Sequence, residues 1–266
     1  MSQSLGTALI TGASSGIGAV YADRLARRGH DLLIVARDAD RLAHRAARLE
    51  RDFRVNVEVL PGDLIEPDQL AAVGQRLADD SSISILINNA GMSMDGTLMT
   101  ASHGRAEALI ALNVLAPTLL ARAAGRRFAA ERKGAIINIS SVMAFMPEVS
   151  DGTYSGTKAF LLNLSLGLAE QLEPLGVRIQ AVLPGATRTE IWKRSGKDID
   201  ALPADSVMSA EDLVDAALVG FDKGEIVSIP PLHELGLWEG MNRSRLALAP
   251  HLANRRVADR YLIPVD

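Results

Sequence analysis

Short apolar runs alternate along the chain with longer stretches in which apolar residues recur every three or four positions, and the alternation persists to about residue 230. The runs at 8–10, 31–36, 55–60, 83–88, 135–140, 177–183 and 226–229 predict seven strands. Most are rich in β-branched residues and apolar on both faces, as a sheet covered on both sides requires. Between them the 3.6-residue period predicts helices over 15–28, 39–51, 67–78, 102–131, 154–173 and 210–223, with Gly29 and Gly176 placed as C-terminal caps. Strand and helix in strict alternation imply an α/β fold: a doubly wound parallel sheet of about seven strands with helices on both faces. The expected organisation is one domain over 1–266, with ligands at the carboxyl ends of the strands.

Two regions break the rhythm. Residues 184–209 contain Pro184, Gly185, Gly196 and Pro203 and read as a lid or substrate loop with a short helix near Ile191. The tail, 230–266, holds Trp238 and an Arg-rich helical stretch that the pattern leaves unassigned.

Composition narrows the class. With 48% hydrophobic and 23% charged residues and a mean hydropathy of +0.13, the chain has ample material for a core. A net charge of -4 gives no field for nucleic acid, and the arginines of 41–54 alternate with apolar positions as a solvated helix face does. Cysteine is absent, which excludes disulfides and thiol catalysis. No uninterrupted apolar run reaches the ~18 residues of a membrane span, and the first six residues carry no secretory pattern, so a cytoplasmic protein without membrane attachment is expected.

The first strand leads directly into Thr11-Gly12-Ala13-Ser14-Ser15-Gly16-Ile17-Gly18, which opens the first helix. A glycine-rich turn at a helix N-terminus lets backbone amides approach a pyrophosphate. Two further polar clusters end strands: Gly62-Asp63-Leu64 and Asn88-Asn89-Ala90-Gly91. Asp63 could accept a hydrogen bond from an adenine, and small Ala90 and Gly91 admit a close cofactor, whereas Asn88 or Asn89 alone could be turn residues. The second strand ends Val35-Ala36-Arg37-Asp38, with Ala36 where an acid would bind a ribose 2′-hydroxyl and Arg37 able to fork onto a 2′-phosphate. NADP(H) is favoured on that ground and NAD(H) remains possible; the competing reading pairs Arg37 with Asp38 or Asp40. No metal is implied.

Downstream, Tyr154 and Lys158 stand four apart on a predicted helix and therefore on one face. Lowering a phenol from pKa ~10 toward neutrality takes roughly 4 kcal/mol, which one nearby ammonium and an oxidised nicotinamide could supply. Ser140 and Ser141 end the fifth strand, where a hydroxyl could bind a substrate oxygen.

TGASSGIG at 11–18, Asp63, NNAG at 88–91, Asn113, the Ser-Tyr-Lys set and Pro184-Gly185 together resemble the short-chain dehydrogenase/reductase family over about residues 5–230. The resemblance implies a Rossmann-type fold and hydride transfer between a nicotinamide and a carbonyl or alcohol. It makes Ser141, thirteen residues before Tyr154, the catalytic serine in place of Ser140, and gives Lys158 a ribose contact. Asn113 matches the family's helix-kinking asparagine, whose backbone carbonyl supports a proton relay. Pro184, Gly185 and Thr187 correspond to nicotinamide and phosphate contacts, and Asn89 and Gly91 line the cofactor site by the same likeness. The glycine turn lacks the basic residue that some NADP-using members place there, so phosphate preference rests on Arg37.

The expected pocket wall, Met92, Ser93, Met94, Met143, Phe145, Met146, Ile191 and Trp192, is mainly apolar and suits a medium-sized carbonyl or alcohol substrate. The apolar runs 106–124 and 159–169 of the long helices, with the family likeness, imply a homodimer or homotetramer. Two other readings share these residues: a dinucleotide-binding sensor or scaffold without turnover, against which the complete Ser-Tyr-Lys set speaks, and a nucleotide-sugar epimerase, against which the short tail speaks.

Overall fold

The computed structural model describes residues 5–149 and 151–262. Its described residues divide between two compact units, one ending at Pro231 and the other beginning at Leu232.

In the first unit, strands β1 (Thr7–Thr11), β2 (Asp31–Ala36), β3 (Val57–Pro61), β4 (Ile83–Asn88), β5 (Gly134–Ile139), β6 (Val177–Val182) and β7 (Val227–Ser228) form one sheet in the order β3-β2-β1-β4-β5-β6-β7. Every pairing is parallel, the doubly wound arrangement the alternation implied, and the fold is a Rossmann fold. Strict alternation along the strands sorts their side chains into two cores. Ile10, Leu32, Ile34, Ile87 and Ile137 face one side, and Leu9, Leu33, Val35, Leu86 and Ile136 face the other. Both sets are buried, as a sheet covered by helices on its two faces requires.

Helices α1 (Gly16–Arg27) and α2 (Ala39–Phe53) cover the first face, with Tyr21, Leu25, Leu42 and Leu49 in its core. Helix α3 (Pro67–Asp79) covers the second with Leu70, Val73 and Leu77. The predicted helix over 102–131 is interrupted. It begins at Arg105 after Gly104 in a left-handed conformation, runs as α4 (Arg105–Ile110), widens into a π-helical turn at Ala111–Leu115, and continues as α5 (Ala116–Glu131). Proline at position 117 accounts for part of this, because it cannot donate to the carbonyl four residues back, that of Asn113. The stretch Arg105–Glu131 contains an 18-residue window of mean hydropathy 1.5, apolar enough to cross a membrane by composition alone, but Leu109, Leu120, Ala124 and Phe128 sit fully buried in this protein.

Helix α6 (Gly152–Leu172) follows β5, the short α7 (Ile191–Arg194) lies in the 184–209 loop where a brief helix was expected, and α8 (Ala210–Asp222) returns to the first face with Val214 and Ala217. Ion pairs Arg24–Asp215 at 2.6 Å and Arg28–Asp222 at 2.8 Å tie α1 to α8. The second unit contains α9 (Leu235–Ala247) and α10 (Ala249–Leu252), the helical stretch foreseen in the tail; no residue of either helix is buried.

Boundaries moved where a cap decided them. Strand β3 starts two residues later than its apolar run, because Arg54 closes α2 at φ 59° and Asn56 is held by Asp31 Oδ1 at 2.8 Å.

Candidate active site

All the polar clusters at the carboxyl ends of β1 to β6 converge on one cavity of about 1590 Å³. Its lining includes Gly12, Ser14, Ser15, Gly16 and Ile17 of the glycine turn, Arg37 after β2, Asp63 and Leu64 after β3, and Asn89, Ala90 and Gly91 after β4. Ser141, Tyr154, Lys158, Pro184, Gly185 and Thr187 complete the opposite end.

The glycine turn is built for close approach. Gly12 takes φ 67°, and a Cβ there would lie 2.8 Å from Asn89 Nδ2; a Cβ on Gly18, which stands behind the wall, would lie 2.6 Å from the Gly12 carbonyl. Thr11 welds this turn to the next. Its Oγ1 accepts the amides of Asn89 and Ala90 at 3.0 Å each and donates to the Ile87 carbonyl, while Asn89 Nδ2 donates to the Thr11 carbonyl at 2.8 Å. Helix α1 has no side-chain cap and no acid in its first turn, so its leading amides are left for an anion. This cradle fits the pyrophosphate of a dinucleotide. Arg37 is held by neither Asp38 nor Asp40: Asp38 caps α2 through the Arg41 amide at 3.0 Å, and Arg37 Nη1 stands 3.8 Å from Asp63 Oδ2.

At the other end Asp151 accepts the amides of Thr153 and Tyr154 and so starts α6 in the right place. One turn on, Lys158 is buried, its Nζ donating to the Ile139 carbonyl at 3.0 Å and lying 5.8 Å from the centre of the Tyr154 ring. The two serines differ in how they are held. Ser140 Oγ donates to the Lys158 carbonyl at 2.7 Å and is spent on structure, whereas Ser141 Oγ donates over a long 3.4 Å to the Pro184 carbonyl, accepts from the Met143 amide and stands beside the Tyr154 phenol. Burial pushes the Tyr154 phenol above its ordinary value, partly offset by a hydrogen bond with Ser141. Burial also lowers Lys158 to about 8. Beneath both, Asn88 Nδ2 donates to Asn138 Oδ1 and Asn138 Nδ2 to Ser165 Oγ, each at 2.9 Å, tying β4, β5 and α6.

Some expected residues stand elsewhere. Asn113 is buried behind the wall: Oδ1 accepts the Met92 amide and Nδ2 donates to the Met92 carbonyl, both at 2.9 Å, and also to Thr157 Oγ1. Ser93, Met143, Ile191 and Trp192 line the cavity, but Met92, Phe145 and Met146 do not, and Met94 belongs to the core. Met92 is drawn back by its two backbone bonds to Asn113, and Met146 is 45% exposed. Val142, Val149 and Leu202 supply apolar wall the sequence did not single out. Sequence reasoning also missed Arg41, Glu190 and Arg194. They lie on the rim from distant segments, and only the position of Arg41 four residues after Arg37 hinted at one of them.

A family model described as short chain dehydrogenase matches residues 6–200. Among solved structures, the chain is similar to a short-chain dehydrogenase from Sphingobium yanoikuyae in complex with NADPH, at 52% identity and TM-score 0.95, over 97% of this chain and 100% of that one. It is also similar to the bulky-bulky ketone specific alcohol dehydrogenase from Comamonas testosteroni, at 47% identity and TM-score 0.91, over 98% and 100%. The very-long-chain 3-oxoacyl-CoA reductase-A of Danio rerio is 32% identical over 208 residues, which are 77% of this chain and 65% of that protein's length. Sheet order, the converging strand ends and these matches agree that the chain is an NAD(P)-dependent oxidoreductase and belongs to the short-chain dehydrogenase/reductase family.

Proposed function

We propose that the protein is an NADP-preferring reductase and dehydrogenase of medium-sized, mainly apolar ketones and secondary alcohols. The observation that carries the reading is the placing of Ser141, Tyr154 and Lys158 at one end of a single cavity whose other end presents the glycine turn and Arg37. Similarity to a chain solved with NADPH and to one named for bulky ketones supports cofactor and substrate class.

A bound nicotinamide would supply or accept the hydride, its diphosphate held by residues 12–18 and its 2′-phosphate by Arg37, with Asp63, Leu64, Asn89, Ala90, Gly91, Pro184, Gly185 and Thr187 around it. The protein's own residues handle the proton. Burial favours the neutral phenol, so Tyr154 Oη is a donor to a carbonyl oxygen as negative charge develops there. Ser141 Oγ, released from its long bond to Pro184, donates to the same oxygen. Lys158 is an ammonium at neutral pH and stabilises the phenolate left behind. Asn113 touches neither and acts as a positioning residue, fixing Met92 and Thr157. Met143, Val149, Ile191, Trp192 and Leu202 form the apolar wall for the substrate.

Two copies are proposed to associate through the outer side of α4 and α5, where Ile110, Leu115 and Leu119 are 39–50% exposed.

The test is NADPH oxidation at 340 nm over a panel of ketones graded in size. Tyr154→Phe should abolish turnover and leave cofactor binding intact, and Arg37→Ala should weaken NADPH selectively; turnover by Tyr154→Phe at the wild-type rate would reject the chemistry.

A further inference from the structure

The cavity end formed by β2, β3 and the start of α2 carries more positive charge than the strand-end motif contains. Besides Arg37, Arg41 from the first turn of α2 lines the same cavity, its Nε 3.3 Å from Asp38 Oδ2 and its Nη1 left to reach across the cavity. Arg45, one turn on, donates to the Ser14 carbonyl at 3.3 Å, and its Nε is buried without a partner. From the other side Arg194 of α7 reaches within 3.4 Å of Ser15 Oγ. One carboxylate of the 184–209 loop crosses to this cluster. Glu190 Oε1 and Oε2 accept from Arg41 Nη1 at 2.8 and 2.9 Å, and Oε2 accepts from Arg194 Nη2 at 2.5 Å. Burial pushes the Glu190 carboxyl up, but the hydrogen bonds and charges of Arg41 and Arg194 more than reverse this. An oxyanion between two guanidiniums beside a serine hydroxyl is held as a bound phosphate would be.

Resting on the NADP reading above, we propose that Arg41 is a second specificity-determining residue for a 2′-phosphorylated cofactor, and that Glu190 occupies Arg41 until the phosphate takes it. Arg41 and Glu190 are 50% and 42% exposed, so their pair is weak and can give way. A phosphate brings nearly twice the charge of a carboxylate and three acceptor oxygens, and it competes for Arg41 successfully. A 2′-hydroxyl brings no charge and leaves the pair in place. Glu190 therefore opposes only the phosphorylated cofactor, and the basic residue missing from the glycine turn is replaced by one on α2.

The test is titration calorimetry of NADPH and NADH, without substrate, on wild type, Arg37→Ala, Arg41→Ala, Glu190→Gln and the Arg41→Ala/Glu190→Gln double variant. Losing a charge-assisted bond at a half-exposed site should weaken NADPH binding by about tenfold in Arg41→Ala and leave NADH within about twofold. Glu190→Gln should tighten NADPH by about threefold in wild type and have no effect once Arg41 is gone, the signature of a coupled pair. Equal losses of NADPH and NADH in Arg41→Ala, or an unchanged or weakened NADPH affinity in Glu190→Gln, would overturn the proposal. If Arg37→Ala abolishes a phosphate preference that Arg41→Ala and Glu190→Gln leave alone, this inference alone fails. If wild type binds NADH as tightly as NADPH and Arg37→Ala changes nothing, the cofactor reading fails with it.

Discussion

Burial acts on Tyr154 and Lys158 in the same physical sense, favouring the neutral form of each, and so moves their pKa values apart from the ordinary pair of near-equal values: the phenol goes up and the ammonium comes down to about 8. The free enzyme therefore keeps a protonated tyrosine throughout the working range and loses the lysine charge as pH rises past about 8. The kcat/KM for ketone reduction should fall across that value; a profile flat to pH 10 would show that Lys158 charge is not needed. The same depression has a stability sign. Holding Lys158 charged in the fold costs about 3 kcal/mol below pH 8, and the cost fades between pH 8 and the unfolded lysine value near 10.5. Lys158→Met should therefore lose activity yet gain about 1–2 kcal/mol at pH 7, after the lost bond to the Ile139 carbonyl, and gain nothing at pH 10. Urea unfolding at the two pH values measures this, and an equal loss of stability at both would contradict it. The four-residue spacing of Tyr154 and Lys158 was legible because a helix period sets it; their depth of burial was not, because β5 and the backbone before Ser141 supply it from elsewhere in the chain.

At the scale of elements, the start of α6 and the loop between β4 and α4 are coupled through one carboxylate. Asp151 Oδ1 takes the amides of Thr153 and Tyr154, and Oδ2 takes the amide of Leu98 at 2.9 Å, so three donors depend on it. Asp151→Ala should cost about 1–2 kcal/mol and lower kcat severalfold, with cofactor affinity unaltered, because the first turn that carries the tyrosine frays while the glycine turn is untouched. Denaturant melts with initial-rate kinetics check it, and a loss of cofactor affinity equal to the loss of kcat would refute the local role. Element existence followed from periodicity, which is a local property. The π turn at Ala111–Leu115 did not, since its cause combines Pro117 with the demand that Asn113 reach Met92 twenty-one residues away.

For the whole molecule, the apolar runs of the long central helices divide into a side that meets the sheet and a side that does not. Leu109, Leu120 and Phe128 are fully buried, whereas Ile110 and Leu115 remain about half exposed. Leu115→Glu should drop the mass in light scattering from a dimer or larger assembly to the 28.3 kDa of one chain, and a wild type already at that mass would dispose of the interface. The sequence alone determined whatever depends on near neighbours: the order of strands and helices, the glycine turn, the Tyr154–Lys158 spacing, and the strand-end position of Arg37. Only the tertiary structure decided what distance along the chain conceals. It left Ser141 beside the phenol and spent Ser140, drew Met92 away from the cavity and Val149 and Leu202 onto it, and brought Glu190 across 149 residues to Arg41. Hydrophobic periodicity says which face of an element is buried. The partner of a charged side chain is chosen by packing between elements, which no local pattern encodes.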